Sequence, residues 1–482
     1  MKELYKNLEP ERVFYYFEKI SDIPRGSGNT QGMTDYLVSF AEEKGLKYSV
    51  DELGNVIISK DAHAGRENDD VVILQGHVDM VCEKTDDSNH DFTKDGLDLL
   101  IDGDYLYANK TTLGGDDGIA VAYMLAILEG DYDAPGIECI FTVDEEVGLI
   151  GAQGLDISNL KGKYLINLDS EEDGKIWVGC AGGMTISNDL DVEMISVDGI
   201  EATITLSGLC GGHSGSEIDK GRMNATITLA RVLNDLTYEF DVKVASLKGG
   251  NKDNVIPLFA TANIICNIDD LNEIENFISE YENMLKNEAC DDDSDLSLKI
   301  EYEMNVVRDV LAPMDLRKVL FLLNLLPNGV AAMSNDIAGL VETSSNLGIF
   351  SLESGQLHME VSVRSSVYSK KIMIANKIIM LCEMMNGRID VSGDYPAWQY
   401  KKDSKLRELM IDVYEDMFKV KPEAVVIHAG LECGYFADLR PDLDIVSIGP
   451  DMRDIHTAKE RLSISSTEKT FNYLVEVLKK LK

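Results

Sequence analysis

The stretch VVILQGHVDM, residues 71–80, decides which fold the sequence predicts. Residues 71–74 form a short, continuously apolar run rich in β-branched residues, which is typical of a strand buried on both faces of a sheet. His77 and Asp79 follow, and side chains two residues apart on an extended chain point to the same side. The stretch therefore predicts a buried strand that ends in two polar groups facing one site, although such a pair also occurs incidentally on surfaces.

Strands and helices alternate on both sides of this stretch. The patterns predict a helical segment over 11–46, a hairpin over 48–60 closing on Gly54, a helix over 119–128, strands over 138–143, 164–168, 424–427 and 445–448, a helix after 403 and a last helix ending at 481. Such alternation indicates an open α/β sheet with mainly parallel strands and flanking helices. In these sheets ligands bind beyond the carboxyl ends of the strands.

The chain is expected to contain two domains, because 482 residues exceed the roughly 250–300 at which single cores stop growing. From residue 187 to residue 393 the pattern changes to alternating strands such as 202–206 and amphipathic helices such as 271–286 and 370–385, typical of an α+β unit with antiparallel strands. We predict one domain made of 1–186 and 394–482, interrupted by an inserted domain over 187–393.

Composition excludes several classes of partner. The formal net charge of −40 opposes binding to nucleic acids and anionic lipid surfaces. The start of the chain lacks the features of a secretory signal, and no window contains the roughly 18–20 apolar residues of a membrane span. Eight singly scattered cysteines indicate reduced thiols. A cytoplasmic protein that binds neither membrane nor nucleic acid is expected.

Carboxylates stand at the ends of the predicted strands. In FTVDEEVG, Asp144, Glu145 and Glu146 end a buried strand, where adjacent carboxylates are costly unless cations or donors compensate them. In LINLDSEEDG, Asp169 ends the next strand. This repetition indicates an acidic site at one edge of the sheet.

A pair of aspartates also precedes the predicted helix over 119–128. In LGGDDGIA, Asp116 and Asp117 follow two glycines, and one of them suits helix capping. The other is placed to supply two oxygens to two cations.

Histidines are the other candidate metal ligands at this edge of the sheet. Three of the seven histidines of the chain lie at or shortly beyond predicted strand ends, namely His77, His428 and His456. Two imidazoles and three to five carboxylates at one edge describe a site for divalent metals. The count exceeds what one tetrahedral zinc needs and fits a two-metal hydrolase with a shared carboxylate.

Ten motifs occur in a specific order along the chain. They are IPRGSGNT, GHVDMVCEK, LGGDDGIA, FTVDEEVGLIGA, NLDSEEDG, GCAGG, GGHSG, NVIP, IHAGLECGYF and SIGPDMRDIHTAKE. Together they resemble, over essentially the whole chain, the co-catalytic zinc peptidases related to aminoacylase, glutamate carboxypeptidase and peptidase T. Each motif alone is weak, but their joint presence in this order is specific.

The resemblance implies a set of site residues. It makes His77 and Asp169 the ligands of one zinc, Glu146 and His456 the ligands of the other, Asp116 the bridge, Glu145 the general base and Asp79 the group that orients His77. It implies two Zn²⁺ per chain, with Co²⁺ or Mn²⁺ as substitutes, and a cis peptide bond between Asp116 and Asp117.

The resemblance also assigns the inserted domain as a lid and leaves open a homodimer through it. His213 in GGHSG corresponds to an imidazole presented to the scissile carbonyl oxygen, often across a dimer. Asn254 and Arg364 are candidates for binding substrate oxygens or the C-terminal carboxylate, with a surface ion pair as the alternative for Arg364. Glu432 matches the dipeptidase subgroup and is a candidate for holding the substrate's free amino group, whereas His428 is interpreted as a supporting residue.

The expected activity is therefore metal-dependent hydrolysis of dipeptides with a free N-terminus, Xaa-His dipeptides among them, by a water activated between two zinc ions. One alternative is an N-acyl amino acid deacylase or carboxypeptidase on the same scaffold. A second alternative is an inactive peptide-binding protein, against which the presence of Asp79, Glu145 and all five ligands argues. A third, a single-metal or structural zinc protein, predicts one metal per chain.

Overall fold

The computed structural model describes residues 3–482, and the chain divides into two compact units. Among these residues, the first unit extends to Cys180 and also comprises Trp398–Val426 and Leu431–Lys482, and the second comprises Ala181–Ala397 and Ile427–Gly430. The sequence pattern predicts junctions near 187 and 393, where no linker composition marks them.

The first unit begins with helices, a hairpin and then alternating strands and helices. Its elements up to Cys180 are α1 (Glu11–Ser21), α2 (Gln31–Lys44), β1 (Lys47–Val50), β2 (Val56–Lys60), β3 (Val72–His77), β4 (Leu99–Asp102), β5 (Tyr105–Ala108), α3 (Gly115–Glu129), β6 (Ile137–Thr142), α4 (Ile150–Gly154), β7 (Tyr164–Asn167) and β8 (Lys175–Cys180). The single helical segment predicted over 11–46 is wrong, because the chain breaks near Pro24, and proline disfavours helix at the residue before it. The hairpin is confirmed, with Gly54 at a φ of 99°.

The remaining elements follow in chain order. The second unit contains β9 (Gly182–Asp191), β10 (Met194–Ser207), β11 (Gly212–His213), α5 (Ala225–Glu239), β12 (Lys243–Gly249), β13 (Val255–Ile256), β14 (Ala260–Cys266), α6 (Leu271–Glu288), β15 (Ser297–Leu311), α7 (Pro313–Leu325), β16 (Gly329–Met333), β17 (Val341–Glu353), β18 (Gln356–Ser365), α8 (Tyr368–Met384) and β19 (Arg388–Tyr395). The chain continues with α9 (Lys405–Phe418), β20 (Glu423–Ile427), α10 (Cys433–Leu439), β21 (Asp444–Ser447), β22 (Met452–Arg453), β23 (Arg461–Ser463) and α11 (Ile464–Lys480).

An eight-stranded sheet forms the centre of the first unit, in the order β1-β2-β6-β3-β7-β21-β8-β20. Its middle strands β6, β3, β7 and β21 run parallel, and every residue of β3 and β6 is buried. Helices α1, α3, α9 and α11 contribute apolar side chains to the same core. The predicted α/β fold with a mainly parallel central sheet is confirmed.

The register of the parallel strands places the predicted polar groups at one edge. His77 at the end of β3 pairs with Thr142 at the end of β6, and Gln75 pairs with Asn167 at the end of β7. The carboxylates that follow β6 and β7 therefore lie just beyond the same carboxyl edge as His77.

The second unit is built on an antiparallel sheet, as its alternating pattern predicts. The strand order is β15-β10-β14-β12-β17-β18-β9-β19, with β16 paired to β17. Helices α5 to α8 pack their apolar faces in its core.

A small sheet in the order β22-β23-β5-β4 also belongs to the first unit, and its two-residue and three-residue strands were too short to predict. Among the helices of residues 3–482, none combines the length and apolarity needed to cross a membrane.

Candidate active site

Two groups of potential metal ligands lie at the carboxyl edge of the central sheet and share one carboxylate. The first group is His77, Asp116 and Asp169, and the second is Asp116, Glu146 and His456. Within each group the candidate ligand atoms all lie within 4.8 Å of one another. The structure thus brings together the five residues that the resemblance assigns as ligands, with Asp116 in the position of the bridge.

Each oxygen of Asp116 faces a different imidazole. His77 Nε2 lies 3.0 Å from Asp116 Oδ1, and His456 Nε2 lies 3.1 Å from Asp116 Oδ2. Asp169 Oδ1 is 3.6 Å from His77 Nε2, and Glu146 Oε1 is 3.1 Å from His456 Nε2. A carboxylate arranged in this way is suited to binding two cations at once.

Local backbone geometry sets the direction of these side chains. His456 lies in the turn between β22 and β23 and has a φ of 58°, in the left-handed region that residues other than glycine adopt rarely. The peptide bond between Asp116 and Asp117 is cis, as the resemblance predicts. Asp117 does not cap α3; its Oδ2 instead accepts a hydrogen bond from the backbone N–H of His77 at 3.2 Å.

Asp79 is fully buried and contacts the residues on both sides of the site. Its Oδ1 lies 3.4 Å from His77 Nδ1 and accepts the backbone N–H of Glu145 at 3.0 Å. Its Oδ2 accepts the hydroxyl of Ser27 at 2.8 Å and the backbone N–H of Glu146 at 3.3 Å. Asp79 therefore both orients the imidazole and fixes the loop that carries the two glutamates.

Glu145 lies next to the two groups without being needed for either. Its Oε2 is 4.0 Å from His77 Nε2, and it forms a further possible ligand group with His77 and Glu146. Burial, opposed by His77 and reinforced by the nearby carboxylates of Glu432 and Glu146, raises the pKa of Glu145 to about 8. A carboxylate in this environment has the basicity expected of a general base.

The charges of the site are unbalanced in a way that a cation would correct. Burial and neighbouring carboxylates raise the pKa of Asp169 well above its usual range. Burial opposes a charge on His77, but Asp169 and Asp116 outweigh it and raise the pKa of the imidazole. In the described part of the chain, the cationic groups within 4.0 Å of Asp116, Glu146 and Asp169 are imidazoles. This donor set of imidazole nitrogens and carboxylate oxygens fits divalent zinc.

Comparison with known proteins assigns the family. The sequence pattern of Peptidase family M20/M25/M40 matches residues 73–480. The chain belongs to this family. It is therefore a hydrolase of a metal-dependent peptidase family, and the predicted resemblance is confirmed.

Three similar proteins match this M20 peptidase along almost its whole length. The cytosol non-specific dipeptidase of Escherichia coli (strain K12) is 37% identical over 486 residues, covering 100% of this chain and 99% of the relative. The crystal structure of aminoacylhistidine dipeptidase from Vibrio alginolyticus matches with a TM-score of 0.94 and 34% identity, covering 99% of this chain and 98% of that one. Aminopeptidase PepT from Bacillus cereus ATCC 10987, with a TM-score of 0.56, 16% identity and coverage of 98% and 99%, shares the fold.

Glu432 of this M20 peptidase is fully buried beneath strands β3 and β6. Its Oε2 accepts hydrogen bonds from Gln75 Nε2 at 2.5 Å and from Thr142 Oγ1 at 2.8 Å, while Oε1 has no partner among the described atoms. Gln75 in turn accepts a hydrogen bond from Asn167 Nδ2 at 2.6 Å. Sequence reasoning missed this network, although a glutamine inside an otherwise apolar strand was a signal for it.

The second unit of the peptidase carries the other predicted residues. His213 Nδ1 accepts the backbone N–H groups of Gly215 and Ser216 at 3.2 and 3.0 Å, and burial together with Arg364 lowers the pKa of the imidazole. In the neutral ring Nε2 therefore carries the proton. Asn254 is exposed immediately before β13.

Arg364 and His428 lie in the same unit, and each has a hydroxyl partner. Arg364 donates to the Tyr395 hydroxyl at 2.8 Å, and His428 Nε2 lies 2.7 Å from Ser344 Oγ. His428 is buried, which lowers the pKa of its imidazole to about 3, with Arg364 adding to the effect. His428 is therefore neutral at ordinary pH.

Proposed function

We propose that the chain is a two-metal dipeptidase that hydrolyses dipeptides with a free N-terminus, Xaa-His dipeptides among them. The observation that carries this proposal is the pair of ligand groups that share Asp116. The full-length similarity to two proteins named as dipeptidases supports the substrate class. Zn²⁺ is the proposed metal at both groups, with Co²⁺ or Mn²⁺ as substitutes.

Bound at the two groups, divalent cations would polarise the peptide carbonyl and lower the pKa of a water molecule. Glu145 is the proposed base that removes a proton from the attacking water and returns it to the leaving amine. Asp79 keeps His77 and the Glu145 loop in place through the contacts described above.

For the second unit we propose substrate binding by His213, Asn254 and Arg364. His213 is suited to donate from Nε2 to a developing oxyanion, because its Nδ1 is occupied by two backbone donors and its pKa is lowered. Arg364 supplies a fixed positive charge for a C-terminal carboxylate. A lid role for this unit, a homodimer through it and a cytoplasmic location remain predictions.

The role of Glu432 in holding the substrate's amino group also remains a prediction. Its unpartnered Oε1 is the atom that an ammonium group would contact. If it does so, Glu432→Gln will raise KM for free dipeptides while leaving metal content unchanged. An unchanged KM would contradict this role.

A hydrolysis panel tests the proposed function against the deacylase or carboxypeptidase alternative. Free dipeptides, their N-acetylated forms and tripeptides are incubated with the purified protein, supplied with Zn²⁺, Co²⁺ or Mn²⁺ or treated with a chelator. We expect metal-dependent cleavage of free dipeptides and little cleavage of the N-acetylated forms. Equal cleavage of both forms would favour the alternative.

A further inference from the structure

We propose that Arg25 and Glu460 are positioning residues that hold the loop carrying Asp116 between the two imidazoles. This inference rests on the proposed metal-binding role of Asp116. Neither residue belongs to the ligand groups, and both are almost completely buried, with exposures of 1% and 3%. Their contacts tie this loop to the chain segments that carry His77 and His456.

Glu460 binds the loop through four consecutive backbone N–H groups. Its Oε2 accepts from Leu113 at 2.7 Å and from Gly114 at 3.0 Å, and its Oε1 accepts from Gly115 at 2.8 Å and from Asp116 at 3.4 Å. These groups lie in the turn that precedes the continuous part of α3, because Asp116 and Asp117 have non-helical backbone angles. One buried side chain thus satisfies the whole turn that leads into Asp116.

Arg25 binds one carbonyl group of the same loop and two carbonyl groups of the segment that follows His77. Its guanidinium donates to the carbonyl oxygens of Val78 at 3.0 Å and Asp79 at 3.3 Å, which follow His77, and also to the carbonyl oxygen of Gly114. The Arg25 guanidinium packs closely against Gly114 and Gly118. A Cβ added at either glycine would lie 2.5 Å from a guanidinium nitrogen.

The two residues therefore act on one peptide segment through opposite groups. Glu460 accepts the N–H of Gly115 while Arg25 binds the carbonyl oxygen of Gly114, so the two charges polarise the peptide group between these residues in the same direction. Glu460 also lies four positions after His456, in the same turn between β22 and β23. Through these contacts both imidazole-bearing segments are fixed relative to Asp116.

Substituting Glu460 or Arg25 is expected to lower metal affinity more than it lowers the stability of the fold. Substituting a residue that orients metal ligands typically lowers metal affinity 10–100-fold. A glutamine at position 460 keeps one acceptor oxygen but turns an amide donor towards backbone donors, so at least two of the four N–H groups lose their acceptor. Asp116 is then less well placed for both metal groups.

The test measures metal binding by purified full-length variants. Glu460→Gln and Arg25→Lys are stripped of metal and titrated with Co²⁺, recording the visible absorption of the bound ion and its affinity in competition with a chelator. We expect affinity to fall 10–100-fold and the absorption spectrum to change. If Glu460→Gln does not fold, Glu460→Asp keeps the charge, shortens the side chain and is expected to change the spectrum in the same way.

Two buried residues remote from the site serve as matched controls. Glu138 near the amino end of β6 accepts backbone N–H groups from Lys161 and Gly162, and Arg407 donates to backbone carbonyl groups of Lys401 and Lys402. Glu138→Gln and Arg407→Lys are expected to lower the melting temperature while leaving Co²⁺ affinity and spectrum unchanged.

The outcomes separate this inference from the proposed function. Wild-type Co²⁺ affinity and spectrum in the Glu460 and Arg25 variants, or changes no larger than in the controls, would overturn the inference while leaving a two-metal dipeptidase intact. Failure of the wild-type protein to bind two metal ions would instead overturn both.

Discussion

Replacing Glu145 by glutamine should remove turnover while leaving both ligand groups complete. The side chain keeps its size, but it loses the ability to accept a proton from water, and general-base catalysis typically contributes 10²–10⁴-fold. This corresponds to about 2.7–5.5 kcal/mol in the activation free energy. Because neither group that shares Asp116 requires Glu145, the variant is expected to bind two metal equivalents.

Glu145→Gln should also change how the stability of the metal-free protein depends on pH. Burial raises the pKa of Glu145 to about 8, so its native state binds more protons than the unfolded state between about 4.5 and 8. The stability that the protonated Glu145 carboxyl contributes is fully present below the pKa of this group in the unfolded state, and it is lost as pH rises towards 8. Glutamine stays neutral, so the melting temperature of metal-free Glu145→Gln should fall less over this range than that of the metal-free wild type.

The assay combines dipeptide hydrolysis, metal analysis and thermal melting, with Glu146→Gln as the matched control. Glu146 belongs to the group with Asp116 and His456, so its replacement should lower metal content as well as turnover. Hydrolysis by Glu145→Gln at the wild-type rate would refute the assignment of the base. Loss of metal by Glu145→Gln to the same degree as by Glu146→Gln would show that Glu145 is a ligand instead.

Three further predictions follow from the same geometry. Asp79→Asn should weaken metal binding 10–100-fold, because the amide cannot both orient His77 and accept the N–H groups of Glu145 and Glu146 as the carboxylate does. An unchanged affinity in a metal competition assay would contradict this prediction. Chelation should lower the melting temperature by removing the ions that compensate the acidic site, and added Zn²⁺ should restore it. His428→Gln should lose less stability than the wild type as pH falls from 6.5 towards 3, because the buried wild-type imidazole resists protonation. The difference in the free energy of unfolding is up to about 1.4 kcal/mol per pH unit. Denaturation experiments that give both proteins the same loss of stability over this range would contradict the prediction.

The sequence was most informative where local pattern and function coincide. The apolar run before His77 predicted a strand buried on both faces, and polar residues after that strand and its neighbours predicted a shared edge. Parallel pairing makes this inference reliable, because the carboxyl ends of all such strands meet at one edge. The ligand set itself came from the family resemblance, since spacing alone left three to five carboxylates as candidates.

Contacts between distant parts of the chain were not predictable in this way. Glu460 binds amides more than 340 positions earlier, and nothing in the local pattern of HTAKE distinguishes this glutamate from a solvated one. The strands β22 and β23, which carry the turn with His456, are too short to give a periodic signal. The hydrogen bonds of Glu432 with Gln75 and Thr142 likewise depend on tertiary packing that the sequence does not display.

Anomalous diffraction at the zinc absorption edge, on crystals of the zinc-loaded protein, tests the central claim most directly. Two peaks are expected, roughly 3.5–4 Å apart, one in contact with His77 and Asp169, the other with Glu146 and His456, and both with Asp116. A single peak, or two peaks that share no carboxylate, would contradict the account.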